Sequence, residues 1–116
     1  LMCDDVDAAW DFYSELFGWH EGERMEPREN VPYQLFGWDD EDWGGIGAKP
    51  PGAEMPSSWI FYVTVEDIDA AVGRVSDNGG EVVNGPMEVP GGDRIAHCRD
   101  PQGAMFALQC PAEFGA

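Results

Sequence analysis

The chain has 116 residues, 43 % of them hydrophobic, with 23 acidic against 6 basic side chains and a net charge of -17. That apolar share suffices for one core, which excludes disorder along most of the length. The acidic balance excludes DNA, RNA and anionic membranes as partners, since each needs basic groups, and no apolar run approaches the roughly 20 residues that span a bilayer.

Leu1 and Met2 read as the tail of an opening strand. Asp5 is a helix N-cap, and Ala9, Phe12, Tyr13, Leu16 and Phe17 follow the i, i+3, i+4, i+7 spacing of one apolar stripe. Gly18 ends that helix. Strand patterns follow over Trp19–Met25, Tyr33–Trp38 and Trp43–Ala48, with an acidic turn at 39–42. The segment 49–58, with Pro50, Pro51, Gly52 and Pro56, reads as a linker. Trp59–Val65 is a strongly β-forming run. Asp67 caps a second helix whose stripe is Ile68, Ala71, Val72 and Val75, ended by Asn78-Gly79-Gly80. Strands are then expected over Glu81–Asn84, Arg94–Arg99 and Ala104–Cys110, the last two joined by Asp100-Pro101-Gln102-Gly103.

The second half repeats the first. Asp5-Val6-Asp7-Ala8-Ala9 recurs as Asp67-Ile68-Asp69-Ala70-Ala71, an offset of 62 that also matches Ser14 with Ser76 and Gly18 with Gly80. The predicted class is α+β: two βαβββ modules forming a cupped mixed sheet with helices outside. They make one domain over 1–116, with the first module at 1–48, the linker at 49–58 and the second module at 59–116. Cys3, Cys98 and Cys110 lack any CxxC pair or zinc-ribbon spacing, so reduced thiols are expected. No signal peptide is visible, and the expected setting is cytoplasmic.

Asp-Val-Asp-Ala-Ala-x-x-Phe-Tyr-x-x-Leu-Phe-Gly-Trp (5–19) and Asp-Pro-x-Gly (100–103) resemble the glyoxalase/bleomycin resistance protein/extradiol dioxygenase superfamily, also called vicinal oxygen chelate proteins. Met55-Pro56 through Trp59, with 85–92, is similar to an actinobacterial branch often labelled lyase or hydroxylase. The resemblance implies a duplicated βαβββ fold. In catalytic members it implies a divalent metal held from the first and last strands of each module. Counting from the family's motifs, three of the four ligand positions here fall on Ile60, Ala107 and, 61 residues before Ala107, Ile46, the fourth lying before Leu1. None has a lone pair to donate, so neither a metal nor another cofactor is expected.

Other chemistry is sparse. His20 and Glu21 point to opposite faces of a strand and read as solvated. Pairing Arg99 with Ala104 places His97 beside Phe106, toward the helices, as a structural histidine. The acidic turn at 39–42 lacks calcium-loop spacing, and Gly91-Gly92 reads as a flexible loop. Five tryptophans point mainly to core or dimer packing.

Alternation from the ligand-equivalent positions places Tyr33, Leu35, Gly44, Ile46, Ile60, Tyr62, Thr64, Arg94, Ala96, Cys98, Met105 and Gln109 inside the cup. Phe61, Val63, Phe106 and Leu108 then face the helices. The candidate ligand-binding residues are Tyr33, Leu35, Ile46, Ile60, Tyr62, Arg94, Cys98 and Met105. Arg94 either orients an oxyanion or pairs with a surface acid such as Asp93. The expected function is metal-free binding of a small, partly apolar molecule by a homodimer. The alternative is a lyase, isomerase or dioxygenase, metal-dependent or using Tyr62, Tyr33 or His97 as acid or base.

Overall fold

Each half of the chain begins its helix with the same capping chemistry. The Asp5 Oδ1 atom accepts from the Ala8 N–H at 3.0 Å, and the Asp67 Oδ1 atom accepts from the Ala70 N–H at 3.0 Å. Each satisfies an amide that a helix start leaves without a partner. Helix α1 runs Val6–Phe17 and α2 runs Ile68–Asp77. Gly18 closes α1 at φ 68°, a left-handed conformation that glycine adopts without steric cost.

The structure, a computed structural model, describes residues 1–28, 31–38, 41–49 and 56–114. Residues 39–40 of the acidic turn and 50–55 of the linker lie outside that set. The strands are β1 (Met2–Cys3), β2 (His20–Arg28), β3 (Val31–Trp38), β4 (Glu41–Ala48), β5 (Tyr62–Thr64), β6 (Glu81–Glu88), β7 (Arg94–Arg99) and β8 (Met105–Cys110). They form two four-stranded mixed sheets, ordered β1-β4-β3-β2 and β5-β8-β7-β6. In each, the opening strand runs parallel to the last, and the other pairings are antiparallel. The α+β class and the βαβββ order are as the repeat implied.

The chain divides into two compact units, Leu1–Trp59 and Ile60–Ala116. Trp59 was expected to open the second module. It belongs to the first because its Nε1–H donates to the Tyr13 hydroxyl at 3.1 Å and its ring stands edge-on to Tyr13 and Trp19.

The N-terminal core joins Cys3, Val6, Phe36 and Ile46, with Ala9, Trp10 and Trp19 against it. The expected stripe on α1 is therefore rotated: Val6, Ala9 and Trp10 face the sheet, while Phe12 and Leu16 are exposed. Most of the circumference of α1 is apolar, so periodicity alone admits both faces. The repeat resolves it, because Ile68, Ala71, Val72 and Val75 in α2 correspond at offset 62 to Val6, Ala9, Trp10 and Tyr13. The C-terminal core joins Ile68, Ala71, Ala96, Cys98, Leu108 and Cys110, flanked by Val72, Val75, Val82 and Phe106.

Candidate functional site

A βαβββ unit covers one sheet face with its helix, so chemistry toward a ligand must come from the other face. In the C-terminal unit that face is defined by register. Tyr62 on β5 pairs with Ala107 on β8, and Ala107 pairs with His97 on β7. The Tyr62 hydroxyl lies 3.2 Å from His97 Nε2, and the two rings meet edge-on at 6.1 Å. Period-two alternation adds Thr64, Ile95, Met105 and Gln109 to the same face. Gln109 Nε2 donates to Asp93 Oδ2 at 2.8 Å, which fixes the amide.

His97 therefore faces away from the helix, contrary to its expected place beside Phe106. Arg99 pairs with Met105 rather than with Ala104, so every β7 residue moves by one relative to β8. The cause is the turn. The Asp100 Oδ1 atom accepts from the Gln102 and Ala104 N–H groups, both at 2.9 Å, and Gly103 turns at φ 88°. This Asp-centred loop sets Ala104 opposite Asp100, whose N–H donates to the Ala104 carbonyl at 2.9 Å, instead of opposite Arg99.

The same shift corrects two candidate ligand residues. Cys98 and Ala96 are fully buried against α2. Burial pushes the Cys98 thiol above its usual range. Arg94 donates through Nη1 to Asp69 Oδ2 at 2.9 Å and through Nη2 to Asp69 Oδ1 at 3.0 Å. That bidentate pair raises the arginine and lowers the carboxyl, and its partner is the helix acid rather than Asp93. In the N-terminal unit, Asp7 occupies the same repeat position and pairs with Arg24 at 2.8 Å.

The third correction is Ile46, which is fully buried toward α1 with Phe36. Strand pairing keeps the offset of 62: Met2 opposes Gly47 as Thr64 opposes Gln109. Ala107 therefore corresponds to Gly45, and Gly44 likewise lies on the helix side beneath the Phe36 ring. Tyr33 and Leu35 pair with Gly47 and Gly45 on the face away from α1. The Tyr33 ring lies so close over Gly45 and Gly47 that a Cβ at either would strike it, at 2.8 Å in the case of Gly47. Burial raises the Tyr33 phenol above its ordinary range, so it stays protonated and acts mainly as a lid on two glycines.

Tyr62 and Met105 lie on the C-terminal unit's open face, and Ile60 sits half-buried just before β5. Phe106 and Leu108 pack toward the helix as alternation requires, while Phe61 and Val63 remain exposed at the sheet edge. His97 stood outside the expected ligand-binding set and entered only the enzyme alternative, as an acid or base. A five-residue turn between Arg99 and Met105 would have placed it.

A metal does not fit these residues. Three ligand-equivalent positions hold Ile60, Ala107 and Gly45, and no group of three or more His, Cys, Asp or Glu that could hold a metal ion occurs among the described residues. Carbon side chains and hydrogen cannot donate to a divalent cation.

Burial lowers the His97 imidazole below its usual range. The unfolded chain takes up a proton near pH 6.5, and the folded chain takes it only at lower pH. Stability from this group is therefore complete above about pH 6.5 and is lost as pH falls through the folded value. His97→Gln should accordingly lose less melting temperature than the unsubstituted protein between pH 7.5 and pH 5. Parallel melting curves for the two proteins would contradict this.

A family model described as "Glyoxalase/Bleomycin resistance protein/Dioxygenase superfamily" matches residues 1–108. The chain is 34 % identical over 110 residues to "Putative glyoxylase CFP32" of Mycobacterium tuberculosis, covering 93 % of this chain and 42 % of that protein. It is 36 % identical over 121 residues to "Anthracycline biosynthesis protein DnrV" of Streptomyces peucetius, covering 93 % and 44 %. The chain thus spans less than half the length of these curated relatives. Among solved structures, methylmalonyl-CoA epimerase of Streptomyces coelicolor superposes with a TM-score of 0.69 at 20 % identity, covering 96 % of this chain and 90 % of that one. At that identity the match speaks for the fold alone.

Proposed function

Because the chain belongs to the glyoxalase/bleomycin resistance protein/dioxygenase superfamily, we propose that it binds a small, partly apolar organic molecule without a metal. The observation that carries this reading is the open face of the C-terminal sheet. There Tyr62, His97, Met105 and Ala107 combine apolar surface with two adjacent polar groups. Ligand sites commonly have that mixture, apolar walls giving affinity and a few polar atoms giving orientation. The similarity to a protein named for anthracycline biosynthesis supports a small organic ligand. Tyr33 and Leu35 are the N-terminal unit's candidates on the same reading, whereas Ile46, Arg94 and Cys98 serve packing and ion pairing.

The test is amide chemical-shift mapping during titration with a panel of small aromatic and carbonyl compounds. Shifts should concentrate on Tyr62, Thr64, His97, Met105 and Ala107, and elemental analysis should find no stoichiometric zinc, iron, nickel or manganese. Absence of any saturable shift across the panel, or about one tightly held metal per chain, would overturn the reading.

Self-association in a cytoplasmic setting belongs to the same proposal. Phe12, Leu16 and Phe17 stand 61 %, 58 % and 48 % exposed along α1, and apolar aromatic surface of this kind anchors interfaces between copies. The charge of -17 opposes association, so the dimer should strengthen as salt screens repulsion. Light scattering giving a monomer at both low and high salt would remove the dimer from the proposal. Among the described residues, no helix is long and apolar enough to cross a membrane.

A further inference from the structure

Tyr62, Ala107 and His97 stand side by side on three adjacent strands, with Ala107 in the middle. Ala107 is fully buried and offers only a methyl group. A longer side chain there would rise between its neighbours, since both flank it directly across the ladder. The small residue lets the phenol and the imidazole meet at 3.2 Å above it. The position at which the family resemblance places a metal ligand is thus spanned by a neutral hydrogen bond.

We propose that Tyr62 and His97 form one hydrogen-bonded pair that grips an oxygen of the bound molecule, and that this molecule carries a weakly acidic hydroxyl, as a phenol or an enol does. The proposal rests on the ligand-binding reading above and names its chemical class. A phenol both donates and accepts, and a neutral imidazole has one donor and one acceptor nitrogen. Together they match a hydroxyl in either tautomer. If the ligand's O–H bond breaks, its proton passes to the Tyr62–His97 pair and returns on release, so the exchange balances without another reactant. Desolvation keeps His97 neutral near pH 7. A neutral pair costs less to cover with an apolar ligand than a charge would.

Charge excludes the competing class. Arg94 is held by Asp69 on the helix side, and Arg99, at the far end of β7, is held by Glu81 at 3.4 Å. A chain of net charge -17 repels carboxylates and phosphates. A ligand that arrives neutral and shares a proton avoids that repulsion.

The experiment compares 4-nitrophenol with nitrobenzene, which has the same ring and lacks the hydroxyl. Affinities are read by titration calorimetry, and the state of the imidazole by the ring ¹⁵N shifts of His97. The intact chain should bind 4-nitrophenol at least about tenfold more tightly, the worth of one good hydrogen bond, with a His97 shift that nitrobenzene does not produce. Tyr62→Phe should bring the two affinities together and leave nitrobenzene binding unchanged. His97→Gln reads the same loss if Tyr62→Phe does not fold. Equal affinities in the intact chain, or a preference that survives in a folded variant, would overturn the pair's role and leave the ligand-binding reading standing. If neither probe binds, both fall.

Discussion

Trp19→Ala should lower the stability of the N-terminal unit by about 3 kcal/mol, the lower end for removing a large aromatic from a packed site. Trp19 follows α1 immediately after Gly18 and turns back over the sheet. Its ring stacks on Phe36 at 4.1 Å with the planes 7° apart, and it also meets Tyr13, Phe17, Trp38 and Trp59 within 6.3 Å. Trp19 thereby ties the end of α1 and strand β3 to Trp59 in the segment after the linker. Aromatic pairs contribute beyond the area they bury, and the truncation removes several at once. Trp19 is only half-buried, so water reaches part of the cavity and the loss stays below the maximum. Urea unfolding followed by circular dichroism measures it. A loss under 1 kcal/mol would mean that Phe36 and Trp59 close over the gap unaided. Trp19→Phe should recover more than half of the lost stability.

Gln34→Leu is expected to cost about 2–4 kcal/mol, although it puts an apolar residue into a core. Gln34 is fully buried on the helix side of β3, opposite Ile46. Strand β2 bulges between Glu21 and Arg24, and such a bulge leaves backbone groups outside the ladder. The Gln34 Nε2 group donates to the Gly22 and Leu35 carbonyl oxygens, each at 2.9 Å. Leucine fills similar space and donates nothing, so both carbonyls lose this hydrogen bond. The gain is partial, because Gln34 Oε1 has no hydrogen-bond partner and its loss relieves an existing cost. The two lost hydrogen bonds outweigh that relief. Denaturant unfolding would show the balance, and a neutral or stabilised Gln34→Leu would mean that water or a backbone shift satisfies the bulge. The corresponding residue in the C-terminal unit is Ala96, also fully buried, and Ala96→Gln should be destabilising through overpacking.

The duplicated βαβββ order was legible in the sequence because its signals are local. An Asp cap acts on an amide three residues away, and a glycine that ends a helix acts on its own φ. Recurrence of Asp-Val-Asp-Ala-Ala as Asp-Ile-Asp-Ala-Ala then made the second unit a copy of the first. The absence of metal donors at Ile60 and Ala107 was equally readable, being a matter of residue identity at family positions.

Which way each side chain points was settled only by tertiary structure. A strand's two faces differ by a single residue of register, and register depends on how a turn satisfies its backbone groups. The Asp100 carboxylate holds two turn amides, and this one local choice sends His97 to the open face and Arg94 and Cys98 to the helix. The apolar face of α1 was ambiguous for a similar reason, since Val6, Trp10, Phe12, Leu16 and Phe17 leave little polar contrast around the helix. Packing against Phe36 and Ile46 selects the side that is buried, the same side that the repeat marks through Ile68, Ala71, Val72 and Val75. The Tyr62–His97 contact joins residues 35 apart through an intervening alanine on a third strand. No spacing rule along the chain encodes that meeting, because it exists only once three strands are laid side by side.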